Sequence, residues 1–178
     1  ATITAGSGFW CGLRDDGTPV CWGSNARGQL GDETTTPRPI PTPISGVPPL
    51  VRIVAGFTGA CGLTSSGDVW CWGQYFRQGA ERTPIRLLLG EPVVRMDVND
   101  TDVFLTLSGG RLRYFHLGVE RPLSWVGNLG DLTSTRISGR ESICVTTTSG
   151  EVHCSATLSN GIIASQLTPS ELVPVPPP

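Results

Sequence analysis

Among 178 residues, the side chains best placed by type and spacing to do chemistry are six cysteines, Cys11, Cys21, Cys61, Cys71, Cys144 and Cys154. They fall as three C-x9-C pairs, and each pair flanks a short glycine-containing turn. Thiols at that spacing can bind a metal, act as nucleophiles or cross-link neighbouring strands. The zinc reading needs the C-x2-C knuckle, which is missing. The nucleophilic reading needs a histidine base, and the only histidines, His116 and His153, are solitary. Cross-linking remains, with buried free thiols as the alternative.

The other chemistry-bearing run is Asp97-Val-Asn99-Asp100-Thr101-Asp102, with oxygen ligands at alternate positions like the opening of a calcium loop. It has neither the glycine nor the distal glutamate of such a loop and reads as a solvated inter-strand turn. Asn99-Asp-Thr101 is also an N-glycosylation triplet. No nucleophile elbow, zincin helix, phosphate loop or dinucleotide fingerprint occurs. The expectation is a protein with no catalytic residues, no metal and no cofactor.

The elements that position the cysteines emerge from internal self-similarity. Residues 5–23, AGSGFWCGLRDDGTPVCWG, align without a gap on residues 55–73, AGFTGACGLTSSGDVWCWG. A third copy at 98–118 places Phe104 and Tyr114 where the cysteines stood, and a fourth at 138–156 restores them. In each copy a three-residue turn ending in glycine, such as Ser65-Ser66-Gly67, predicts a hairpin with the glycine in the left-handed conformation. That turn sets the register. Cys61 then faces Cys71, Cys11 faces Cys21, Cys144 faces Cys154 and Phe104 faces Tyr114. Each bridge would close a loop of about ten residues and contribute about 2–3 kcal/mol. Bridges of this kind persist in oxidising compartments, so a secreted, periplasmic or cell-surface location is expected.

Alternation puts Leu63, Val69 and the cysteines on one face of the hairpin, and Ala60, Gly62, Trp70 and Trp72 on the other. Both faces are apolar, as when sheets stack face to face around an axis. Trp10, Trp22, Trp70 and Trp72 therefore read as packing residues between sheets rather than ligand anchors.

Composition agrees. Glycine (23) and proline (15) are abundant and charged residues make up only 16%, which favours turn-dense β structure over long helices. The net charge is −2, and the 13 basic residues, all arginine, are scattered, so a nucleic-acid groove is not expected. No run nears the roughly 20 apolar residues of a membrane-spanning helix, so no direct membrane insertion is expected. The chain opens at Ala1 and its only methionine is Met96, which reads as a processed chain or a piece of a longer one.

The run CGLRDDGTPVCWGSNARGQLGD, residues 11–32, resembles the repeat of the regulator of chromosome condensation family, above all in Trp22-Gly-Ser-Asn25-Ala-Arg-Gly28-Gln29-Leu30-Gly31. The second unit keeps Trp72-Gly73-Gln74 and Arg77-Gln78-Gly79, and the likeness fades further along. The resemblance implies a β-propeller of four-stranded blades, one per repeat, in which family members have about seven. The expected fold is thus all-β, a partial β-propeller of about four blades. The units are about 1–50, 51–93, 94–133 and 134–172, and a proline-rich tail follows at 173–178. The cysteine-bearing repeats look most like those of secreted bacterial proteins and plant receptor ectodomains. The family's histidine two residues before the first cysteine is replaced here by Phe9, Gly59, Asp102 and Ser142.

Too few units to close a ring point to further blades from the same or another chain, or to an open arc with exposed faces. The functional expectation is a non-catalytic extracellular module for protein binding or assembly. Alternatives are a structural part of a multi-chain filament, coat or stalk, and a secreted inhibitor or receptor-like ligand binder. Tyr75, Phe76 and Trp125, which the repeat pattern does not explain, are candidate partner contacts or packing of a drifted blade edge. The alternating prolines of 36–43 are expected to form a protected outer edge strand.

Overall fold

Glycine-punctuated runs of β-branched and aromatic residues fold into fifteen strands among the described residues of a computed structural model. The structure describes residues 2–74, 81–98, 102–110, 112–116, 119–121, 132–138, 142–147 and 152–156, with side chains for 2–74, 82–98, 102–110 and 112–115. Asn99, Tyr75, Phe76, Trp125 and the 173–178 tail lie outside them, as do the side chains of Cys144 and Cys154.

The strands form four antiparallel sheets, each running in sequence order from its first strand to its last. The first sheet holds β1 (Thr2–Ala5), β2 (Phe9–Leu13), β3 (Pro19–Gly23) and β4 (Arg38–Pro43). The second holds β5 (Leu50–Ala55), β6 (Gly59–Thr64), β7 (Val69–Gly73) and β8 (Glu81–Arg86). The third holds β9 (Val93–Val98), β10 (Asp102–Leu107), β11 (Leu112–His116) and β12 (Val119–Arg121). In the fourth, β13 (Leu132–Ser138), β14 (Ser142–Thr147) and β15 (Val152–Ala156) are described. Strand β5 lies beside β1, β9 beside β5, and β13 beside β9. First strands in a row, with meanders running away from them, are the arrangement of propeller blades about an axis, and this chain is a partial β-propeller.

The register follows from the turns. Gly17, Gly67 and Gly110 have φ of 81°, 86° and 75°, a left-handed conformation in which glycine carries no Cβ penalty. Each amide returns to the residue three positions earlier: Gly17 to Arg14, Gly67 to Thr64 and Gly110 to Leu107. Beyond the turns Leu63 pairs with Val69, and Cys11 stands opposite Cys21, Cys61 opposite Cys71, Phe104 opposite Tyr114 and Cys144 opposite Cys154. Two disulfides are described, Cys11–Cys21 and Cys61–Cys71, with Cα separations of 4.2 and 4.1 Å. The Phe104 and Tyr114 rings stack at 4.8 Å between centroids in the same place.

The core lies between the blades. One cluster joins Phe9, Cys11, Leu13, Cys21, Leu30 and Ile44 of the first sheet to Leu50, Ile53, Ala60 and Trp72 of the second. The next joins Cys61, Leu63, Val69 and Cys71 to Val93, Met96, Val103, Leu105 and Phe115. The stack therefore has a direction: the cysteine faces of the first and second blades are each covered by the opposite face of the blade that follows. The turns lock it. Leu50 N–H donates to Gly17 O at 2.9 Å, and Val93 N–H donates to Gly67 O at 2.9 Å, so each hairpin turn holds the start of the next blade's first strand.

Strand β4 is the outer strand of its sheet, where the alternating prolines were expected. Ile44 N–H points inward to Pro19 O at 3.0 Å, so Thr42 also faces inward, while Pro41 and Pro43 occupy the outer edge and offer it no N–H donor.

Candidate functional site

The repeat's most family-specific segment, Asn25 to Asp32, forms a loop that fastens one blade to the next. Asn25 is fully buried. Its amide donates to Asp32 Oδ1 at 2.9 Å and to the carbonyls of Thr34 and Thr36 at 3.1 Å, while its Oδ1 accepts from Leu30 N–H at 3.0 Å. Asp32 also accepts from the Thr34 hydroxyl at 2.7 Å and from Arg38 Nε at 2.7 Å. Burial pushes the Asp32 carboxyl up, but the bonds from Thr34, Arg38 and Asn25 outweigh it and hold the group below the usual carboxylate range. The loop's outer side meets the second blade: Trp72 Nε1 donates to Gln29 O at 3.1 Å, and Glu33 N–H to Arg82 O at 2.9 Å. A Cβ on Gly31 would sit 2.8 Å from the Trp72 ring, so only glycine lets the loop approach. Asn25 and Asp32 are thus consumed in shaping the loop, whose backbone at Gln29 and Glu33 holds it to the second blade.

The acidic run reads the same way. Asp97 accepts from Arg52 Nη2 at 3.2 Å and Arg95 Nε at 2.9 Å, an ion-pair cluster across the first strands β5 and β9. Asp102, in the place of the family histidine, is buried and accepts from the Tyr114 hydroxyl at 2.9 Å. Among the described residues, no cluster of histidine, cysteine or carboxylate side chains is arranged to hold a metal ion.

Among the described residues, surface clefts occur where loops meet. One, of about 460 Å³, lies between the Ser66–Asp68 turn and residues 86–92. Its Asp68–Arg86 ion pair is 2.6 Å long, and the Arg86 bond, with help from Ser66, lowers the Asp68 carboxyl from its ordinary value. Another, of about 420 Å³, is built by the loops that follow β1 and β5 and is lined by Ala5, Gly6, Ser7, Ala55, Gly56, Phe57 and Val98. Ala55 N–H donates to Thr4 Oγ1 at 3.1 Å, and Ser7 N–H to Phe57 O at 3.3 Å. A Cβ on Gly6 would lie 2.4 Å from Gly56 O, so glycine permits this contact too. At the rim of this cleft Phe57 is 51% exposed.

A half-exposed aromatic ring on a braced loop suits burial against another protein. Phe57 was not singled out from sequence, although one signal was there: the matching position of the first unit is Ser7. Of the tryptophans read as packing residues, Trp72 is fully buried between blades, whereas Trp10 is half exposed because no described sheet stands over its side of the first blade.

Comparison with known proteins agrees with this architecture. The Regulator of chromosome condensation (RCC1) repeat matches residues 16–63, and a second profile of the same repeat matches residues 1–29. The mitochondrial RCC1 domain-containing protein RUG3 of Arabidopsis thaliana is 29% identical over 73 residues, which is 40% of this chain and 16% of that protein. Human WBSCR16 superposes with a TM-score of 0.72 at 16% identity, covering 92% of this chain and 49% of that one. Prp20p from Saccharomyces cerevisiae superposes with a TM-score of 0.71 at 17% identity, covering 87% and 44%. The chain thus spans less than half the length of each of these proteins. The repeat profiles match residues 1–63, the same hairpin register runs through all four described sheets, and the chain thus carries RCC1-like repeats.

Proposed function

We propose that this chain is a non-catalytic, extracytoplasmic β-propeller module that binds a protein partner through the loops at the Phe57 end of its blades. The observation that carries the reading is the exposed Phe57 ring on a cleft braced by cross-blade hydrogen bonds. The carboxylates of Asp32, Asp68, Asp97 and Asp102 are each tied to a structural partner, Arg38, Arg86, Arg95 and Tyr114. Prp20p, which shares this fold, has binding properties toward Gsp1p and histones, which supports protein recognition as a use of this scaffold. The hairpin disulfides favour an oxidising compartment, which neither a nucleus nor a mitochondrial matrix provides.

The test is a photo-cross-linking amino acid, benzoylphenylalanine, placed at position 57 and, as a control, at Thr35. Exposed to the extracytoplasmic fraction of the source cells, the variant at 57 should give a discrete protein adduct that the variant at 35 does not. Equal labelling at both positions, or none at either, would overturn the reading.

A further inference from the structure

Along the side-by-side first strands β1, β5 and β9, charge is unevenly placed. Strand β1 carries none, β5 carries Arg52, and β9 carries Arg95 and Asp97. Arg52 pairs with Leu63 and Arg95 with Thr106, each just after a bulge in its strand, so the two arginines hold the same position in successive blades. The repeat does not require a guanidinium there, because Thr2, paired with Leu13, fills that position in the first blade. Both arginines converge on one carboxylate: Arg52 Nη2 donates to Asp97 Oδ1 at 3.2 Å, and Arg95 Nε to Asp97 Oδ2 at 2.9 Å. One positive charge is left in excess on these strands, in a chain whose net charge is −2. Donors are left as well. A guanidinium has five N–H groups, and among the described residues these two arginines bond Asp97 alone, while the Arg52 side chain is 44% exposed and that of Arg95 25%.

We infer that Arg52 and Arg95 take the carboxylate of an aspartate or glutamate in an extended segment of the protein partner, and that an apolar residue three positions along that segment reaches the Phe57 rim. The inference rests on the protein-binding reading of the Phe57 cleft and names the chemistry of the segment bound there. Asp97 directly precedes Val98, which lines that cleft with Ala55. Its counterpart on β5 is Val54, and Phe57 follows Val54 by three residues, at most about 10 Å of extended chain. Guanidinium N–H groups meet a carboxylate in a two-point fork, and an incoming carboxylate makes the Arg52–Arg95–Asp97 cluster neutral. A single excess charge suits one carboxylate. A nucleic acid, whose affinity grows with the number of phosphates neutralised, would instead meet a chain that is acidic as a whole.

The probe is the acetylated, amidated hexapeptide SDGGLS, titrated into the nitrogen-15-labelled full chain to about 10 mM, where even a millimolar dissociation constant saturates. The Nε–H resonances of Arg52 and Arg95 should shift with SDGGLS and stay in place with SNGGLS. Arg52→Gln should weaken binding at least threefold, whereas Arg86→Gln, in the cleft at the Ser66–Asp68 turn, should leave it unchanged. Asp97→Asn should tighten binding at least threefold by releasing both guanidiniums, a gain that a purely structural cluster would not give. Unmoved Arg52 and Arg95 resonances would overturn the inference, as would equal shifts with SNGGLS, weaker binding by Asp97→Asn, or tighter binding of a hexauridylate than of SDGGLS. Unmoved arginines together with a persisting adduct at position 57 would leave partner binding at Phe57 standing, and arginine shifts without that adduct would overturn the partner at Phe57 instead, so the two readings fail separately.

Discussion

At the scale of the residue, the side chain with the most structural duties is Asn25, which satisfies the backbone of its own loop with both ends of its amide while fully buried. Asn25→Ala leaves Leu30 N–H and the Asp32 carboxylate short of a partner, so it is expected to cost about 1–3 kcal/mol in a denaturant titration. Asp32 gives the loop a pH dependence. Its carboxyl titrates below the usual carboxylate range in the folded chain. Its contribution is therefore present above an ordinary aspartate value of about 4 and is lost as pH falls through the lower folded value. Stability measured from neutral pH downward should drop in that acid window, and Asp32→Asn should flatten the drop. The run from Asn25 to Gly31 was legible as a motif, but its bonding was not. Which amide meets which carbonyl depends on how the loop curls over Trp72, forty-seven residues beyond Asn25 in the sequence.

At the scale of the element, the hairpin was the most legible part of the chain. A glycine that must be left-handed fixes a turn, and the turn fixes every opposed pair beyond it, which is why Cys61 and Cys71 could be set opposite each other from spacing alone. The proline-rich outer strand β4 was legible for a related reason, since residues without an N–H fit only an edge. What spacing did not reveal is the turn's second task of accepting the first amide of the next blade. A Cβ on Gly67 would fall 2.6 Å from Pro92 and 2.9 Å from Val93 N, against the strand that the turn holds. Gly67→Ala should therefore destabilise by more than about 1 kcal/mol, combining the left-handed backbone with that clash. The effect should appear as a lower denaturant midpoint. Replacing Cys11 and Cys21 together by serine should cost about 2–3 kcal/mol through the freed unfolded chain, while leaving the strand pairing visible in the far-ultraviolet circular dichroism spectrum.

At the scale of the whole molecule, the order of the blades decides which apolar positions are covered, and this is where reading by sequence stops. Trp10 and Trp72 belong to the same packing face, yet one is half exposed and the other buried, because exposure depends on the blade next door rather than on the strand that carries the side chain. Phe57 escaped notice for the opposite reason: its loop is short and unremarkable in sequence, and only the approach of Gly6 to Gly56 turns it into a braced rim. The same stacking explains why the cysteines sit in the core. Each of the two described bridges lies inside a blade-to-blade cluster, where it ties a hairpin and fills space at once, and the buried Phe104–Tyr114 stack does the second task without the first. A chain built in this way gains from oxidation at its first and second blades. The most direct test is peptide mapping of the intact chain after alkylation under non-reducing, denaturing conditions. The result expected is three linked peptide pairs, Cys11 with Cys21, Cys61 with Cys71 and Cys144 with Cys154, and no alkylated cysteine; six alkylated cysteines would contradict both the bridged blades and the oxidising location built on them.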